Sequence, residues 1–245
     1  MQLKDFKDKY SGRIGFLVGG GPSLHYIDEN LLIPHIKIAI NSGIVKIPFA
    51  DFFISDDQSM QNWSYYINLL PKLSCVSLLY KDKLEKHAGH LKNKCFYTHT
   101  WWYSPEDNTY NLDGLKLTKD EPIVGARSSM GSALHIAHIL GCSPIVLLGN
   151  DCQLSRDKYN YRYFWQYYPT DQQPYRIKGL KFSEKNQHIG FRQFDFVEYW
   201  QCLAAVNKNI IGKEIEIIDA SDSVLNCFPK MSINKVLEKY GEKNE

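Results

Sequence analysis

Short apolar runs recur along the chain, and most of them run into glycine, asparagine or aspartate. They are RIGFLVGG (13–20), HIKIAINSG (35–43), ADFFISDD (50–57), CVSLLY (75–80), KCFYTHT (94–100), SPIVLLGND (143–151) and EIEIIDA (214–220). Runs this short, apolar and bounded by turn residues predict strands buried on both faces, as in a parallel sheet. Helical patterns fall between them: one opening near Ser23, MQNWSYYINLLPKL (60–73), KDKLEKHAGHLK (81–92), SSMGSALHIAHILG (128–141), FDFVEYWQCLAAVNKN (194–209) and SINKVLEKY (232–240). The helix over 128–141 carries small and apolar residues at helical spacing and stops on a glycine. Alternating strands and helices, without an internal repeat or a Pro/Gly/Ser-rich linker, predict one α/β domain over 1–245. Its fold is Rossmann-like and doubly wound, with a mostly parallel sheet. Residues 101–122 read as loop, and 152–194 as an insertion without clean periodicity.

Composition narrows the partners only slightly. The net charge of +2 gives no strong electrostatic reason for a nucleic-acid or membrane partner. No run of about 18 apolar residues is present, and the start, MQLKDFKDKYSGR, lacks the character of a signal peptide. A cytoplasmic location is therefore expected. The cysteines at 75, 95, 142, 152, 202 and 227 have no metal-ligand spacing and read as packed thiols.

In a doubly wound sheet the ligand lies beyond the carboxyl ends of the strands, and four of those ends collect unusual residues. Gly19, Gly20 and Gly21 let the backbone turn sharply and bring amides to an anion. Pro22 suits a first helical turn, and Ser23 opens the helix that follows. The run matches neither G-x-G-x-x-G nor G-K-[ST], so it is equally readable as a plain strand-to-helix turn. Asn41 and Ser42 can hydrogen-bond a nucleotide or simply form a turn. Asp56 and Asp57 could hold Mg²⁺ with phosphates or cap the next helix. Asp151 has the same standing after LLG. Ser128 and Ser129 cap a helix whose amides could meet a phosphate or base, with Arg127 as a charge partner. His135 and His138 lie three apart without a third ligand, so helix packing is favoured over metal binding.

The segment KYNYRYFWQYYPTDQQPYRIKG (158–179) holds eight aromatics, two arginines and two lysines. It reads as a lid or acceptor platform, with Tyr159, Tyr161, Tyr163 and Arg176 as contact residues. A subdomain with its own small core, a contact in a homo-oligomer, or a surface that stacks nucleic-acid bases remain open alternatives.

Taken together, FLVGGGPSL, IAINSG, FFISDD and SSMGSALHIAHILGCSPIVLLGND resemble a known superfamily. It unites bacterial sialyltransferases of the Campylobacter lipooligosaccharide type (glycosyltransferase family 42-like), flagellin-modifying motility accessory factors, and archaeal 6-hydroxymethylpterin diphosphokinase-like proteins of the domain of unknown function 115 group. The likeness spans residues 13–57 and 123–152, and more loosely 188–228. It implies a nucleotide-handling transferase in which Gly19–Ser23, Asn41 and Ser129 contact the nucleotide. Asp56 and Asp151 would line the reaction centre, or a metal in the diphosphokinase-like branch. The chain departs from the sialyltransferase pattern at HIGF (188–191). Phe191 stands where that family places its basic histidine, which leaves His188 as the titratable group of the stretch.

The expected function is glycosyl transfer from a nucleotide-sugar donor to a carbohydrate or other hydroxyl acceptor. Asp56, Asp151 and His188 are the candidate catalytic groups. No tightly bound cofactor is expected, and Mg²⁺ at Asp56 and Asp57 is left open. The alternatives are a Mg²⁺-dependent diphosphokinase of the pterin type, a viral-type glycosyltransferase acting on modified DNA bases, and a non-catalytic nucleotide-binding module.

Overall fold

The computed structural model describes residues 1–101, 103–104, 109–110, 119–125, 128–153, 156–177 and 215–241. Seven of the short apolar runs form strands: β1 (Gly15–Val18), β2 (Ile36–Ile40), β3 (Phe52–Ser55), β4 (Val76–Tyr80), β5 (Lys94–Tyr97), β6 (Ile145–Leu148) and β7 (Ile217–Asp219). They make one sheet in the order β7-β6-β1-β2-β3-β4-β5, with every pair parallel. The doubly wound α/β expectation holds.

Alternate strand residues go to opposite faces, and each face has its own core. On one face Leu17, Ile38, Ile54, Leu78 and Leu147 pack with helix α1 (Ser129–Ile139). On the other, Phe16, Val18, Phe53 and Leu148 pack with Tyr66, Phe164 and Val236, the last from helix α2 (Ile233–Tyr240). Every residue of α1 is buried, as its small residues allow. Its start is fixed by Ser128, whose Oγ accepts the Met130 N–H at 3.2 Å. Ser128→Ala is expected to cost about 1 kcal/mol, read from the urea unfolding midpoint.

Three expected helices are not continuous helices. The one near Ser23 is a 3₁₀ turn over Pro22–Tyr26, followed by another over Glu29–Leu32. The 60–73 pattern becomes a 3₁₀ turn at Gln58–Asn62, a π turn at Tyr65–Leu69 and a 3₁₀ turn at Leu70–Lys72. Pro71 and the crowded aromatics there disfavour a regular helix. The 81–92 pattern holds one α turn, Lys81–Leu84, and one 3₁₀ turn, Glu85–His87. On either side of the expected loop, His99–Trp101 pairs in parallel with Ile123–Gly125, and within it Tyr103–Ser104 pairs antiparallel with Thr109–Tyr110. The expected helix over 194–209 lies outside the described residues. No described helix is long and apolar enough to cross a membrane.

The aromatic segment is anchored rather than standing clear of the sheet. Phe164 is 0% exposed, and its N–H donates to the Gly20 carbonyl at 3.2 Å. Farther along, the Ile177 N–H reaches the Asn62 carbonyl at 2.8 Å, and the backbone of Tyr175 pairs with Ser64. Residues 156–177 thus form a strap tied at several points across the carboxyl edge.

Candidate active site at the carboxyl edge of the sheet

Strand order reverses between β1 and β6. Consecutive strands run outward from β1 through β5 on one side, and β6 and β7 lie on the other. The crevice beyond the carboxyl ends of β1 and β6 is where this architecture places ligands. It lies between Gly19-Gly20-Gly21 and Gly149-Asn150-Asp151.

The glycine loop is largely satisfied by protein. The Gly19 N–H donates to the Leu148 carbonyl and the Gly21 N–H to the Gly149 carbonyl, each at 2.8 Å. The Ser23 N–H donates to Asp151 Oδ2 at 2.8 Å, and the Ser23 hydroxyl donates to Oδ1. The anion seated on this loop is thus the chain's own Asp151 carboxylate. Gly21 must be glycine for that approach, because a Cβ there would strike Asp151 Oδ2 and stand 2.7 Å from the Gly149 carbonyl. At Gly20, a Cβ would lie 2.8 Å from Ser42 Oγ and 3.5 Å from the Tyr163 ring. Among the amides of 19–23, the Gly20 N–H has no acceptor among the described residues.

Asp151 is 2% exposed. Burial raises its pKa, the Ser23 hydrogen bonds pull it down, and Asp222 and Asp219 add to the rise, so it is pushed up to about 6. It lines a cleft of about 150 Å³ to which Tyr26 and Tyr167 contribute rings, Asp157 and Asp222 carboxylates, and Arg156 a guanidinium.

Two orphaned amide groups flank the loop. Asn41 ends β2 with φ 50°, a left-handed conformation that asparagine tolerates, and its Oδ1 is buried without a partner among the described residues. Asn150, after β6, is buried, and its Nδ2 also lacks a partner among the described residues. Buried polar groups are rarely left so, and an unmet pair beside a crevice invites a ligand.

Asp56 belongs to a second cluster, beyond β3. Its carboxylate accepts from the Tyr97 hydroxyl and from Ser132 Oγ at 2.6 Å, and His99 Nε2 stands 3.6 Å away. The Asp56 N–H donates to Ser129 Oγ at 3.0 Å. Burial alone would raise this carboxyl, but His99, Ser132 and Tyr97 outweigh it and hold it below the usual range. The Tyr97 hydroxyl is pushed well up by burial and by Asp56. The His99 ring stacks on Tyr80 at 4.2 Å and 5°. With its side chain 13% exposed, Asp56 ties β3, β5 and α1 together.

Asp57 caps the next turn, accepting from the Ser59 N–H at 2.7 Å and the Ser59 hydroxyl at 2.6 Å. Both carboxylates of the expected Mg²⁺ pair are therefore engaged by separate protein donors. Among the described residues no group of three or more His, Cys, Asp or Glu is arranged to hold a metal ion.

Of the remaining expected residues, Ser42 is buried against the glycine loop, and Ser128 caps α1. Tyr163 covers Gly20, whereas Tyr159 and Tyr161 stack on each other at 5.1 Å and Arg176 lies over the Trp63 ring. His135 and His138 are buried in α1, and His135 Nδ1 accepts the Val124 N–H at 2.9 Å. Arg127 and His188 lie outside the described residues. Sequence reasoning missed Asn150, Tyr97, His99 and Ser132. The strand-end rule could have found the first three, since each stands at or just past the end of β6 or β5.

No protein-family model matches the chain, and no curated protein sequence matches it. Among solved structures, the fold is similar to that of a MAf glycosyltransferase from Magnetospirillum magneticum AMB-1, with a TM-score of 0.52 and 12% identity. The likeness covers all of this chain and 40% of that one, so the chain spans less than half the length of that protein. At this identity, what the two share is the fold.

Proposed function

We propose that the chain is a glycosyltransferase that moves a sugar from a nucleotide-activated donor to a hydroxyl acceptor, with Asp151 as general base. The observation that carries this reading is the seating of Asp151: a buried carboxylate at the switch point, held by Ser23, facing a cleft, with a pKa pushed up to about 6. Such a carboxyl is ionised at neutral pH yet binds a proton more readily than an exposed aspartate. The acceptor hydroxyl gives its proton to Asp151 as its oxygen attacks the anomeric carbon. The bond from that carbon to the nucleotide's phosphate oxygen breaks, and its electron pair leaves with the phosphate.

The donor nucleotide is assigned to the β1–β2 side of the crevice, where the Gly20 N–H and the buried Asn41 Oδ1 lack partners among the described residues. The likeness in fold to a MAf glycosyltransferase supports the same reading. Asp56 acts at one remove, fixing the ends of β3, β5 and α1 through its hydrogen bonds.

Thermal unfolding with CMP, CDP, UDP, GDP, ATP and their sugar conjugates, with and without Mg²⁺, tests the proposal. One pyrimidine or guanine nucleotide is expected to stabilise the chain by about 2.7 kcal/mol at 100 times its Kd. Asn41→Ala is expected to remove that stabilisation. Stabilisation by ATP only with Mg²⁺ would replace glycosyl transfer with diphosphoryl transfer, and no response to any nucleotide would overturn both.

A further inference from the structure

The cleft that Asp151 lines is poorly suited to a phosphate. Among the described residues that line it, Arg156 already faces Asp222 at 3.5 Å, and Asp151 is met by the neutral donors of Ser23. An anion entering would meet the Asp151 carboxylate. The volume of about 150 Å³ is also small beside the roughly 300–1,000 Å³ of sites that enclose drug-sized ligands.

The remaining lining is aromatic. Tyr167 is fixed on two sides: its hydroxyl donates to Asp157, and its ring stacks on His25 at 4.3 Å and 17°. Tyr26 is 70% exposed, with its ring 5.9 Å from that of Tyr167. Flat rings offer an apolar face to the C–H side of a pyranose, and carboxylates offer acceptors to its hydroxyls. Asp151 takes two hydrogen bonds from Ser23, and a carboxylate has about four lone-pair sites, so acceptor capacity remains.

We propose that this cleft binds a neutral, hydroxyl-rich sugar ring, with Tyr26 stacking on its face and Asp151 and Asp157 accepting from its hydroxyls. Calling that ring the acceptor rests on the transferase reading; the binding itself does not. One hydroxyl held on Asp151 is then the nucleophile.

Isothermal titration of the full chain with methyl glycosides of neutral hexoses and N-acetylhexosamines, and with their 6-phosphates, tests the cleft. A neutral glycoside is expected to bind, with its 6-phosphate at least about tenfold weaker. Tyr26→Ala, at an exposed position, is expected to weaken it about tenfold and to leave stabilisation by nucleotides unchanged. Asp157→Asn is expected to weaken it by a similar factor. Tighter binding of the phosphate, indifference to both substitutions, or no binding by any glycoside would overturn the proposal. Glycoside binding that depends on Tyr26, without any nucleotide response, would instead remove the transferase reading and leave the sugar site standing.

Discussion

Asp151→Asn is expected to lower the rate of sugar transfer by about 10²–10⁴, the usual contribution of a positioned general base. In the unsubstituted chain kcat/KM should rise as pH passes through about 6, where burial has moved the Asp151 carboxyl. The residual activity of the variant should lack that acid limb. The same shift appears in stability. A carboxyl whose pKa is raised in the folded chain favours folding while it is protonated, and loses that contribution as pH climbs through its folded value. Moving from the ordinary 3.8 to about 6 amounts to about 3 kcal/mol. The stability of the unsubstituted chain relative to Asp151→Asn should therefore fall by about that amount between pH 3.8 and pH values above 6. Urea unfolding of both proteins across this window measures it. A constant difference would mean that the carboxyl titrates as an ordinary aspartate, which would remove the argument for it as base.

Phe164→Ala is the substitution with the largest expected effect on stability, about 3–5 kcal/mol for a fully buried phenylalanine. Phe164 packs with Phe16, Val18 and Tyr66 on one face of the sheet, so its loss leaves a cavity beneath the strap. The hydrogen bond to the Gly20 carbonyl and the Tyr163 ring over Gly20 depend on the same anchor. A reduced urea midpoint, together with faster proteolysis between residues 156 and 177, is the expected pair of results. A strap that acted as a freely opening lid would give the second without the first.

The sheet was legible because its strands are short apolar runs, most of them stopped by a polar turn, and that rule survives without tertiary information. The helix over Ser129–Ile139 was equally legible from its small residues and closing glycine. The turns after β1 and β3 were not. Their apolar spacing is helical, but Pro71, the aromatics of 63–66 and the pull of the two cores break the chain into single turns. At the site, the sequence pointed to Gly19–Ser23 and Asp151 as separate elements of one crevice. It could not show that one satisfies the other, because that depends on β6 lying beside β1. Asp56 was visible as a strand-end carboxylate, whereas its partners Tyr97, His99 and Ser132 come from segments that only folding brings near.

The pairing of β1 with β6 also has a temporal side. Ser23 and Asp151 are 128 residues apart, so a chain emerging from the ribosome completes β1 through β5 before the group that answers Ser23 has been made. Contacts of such long sequence separation are costly in loop entropy and slow folding. The contact between Ser23 and Asp151 therefore forms only after β1 to β5 have been made, and a stop before residue 151 yields sheet-forming sequence without the carboxylate that answers Ser23.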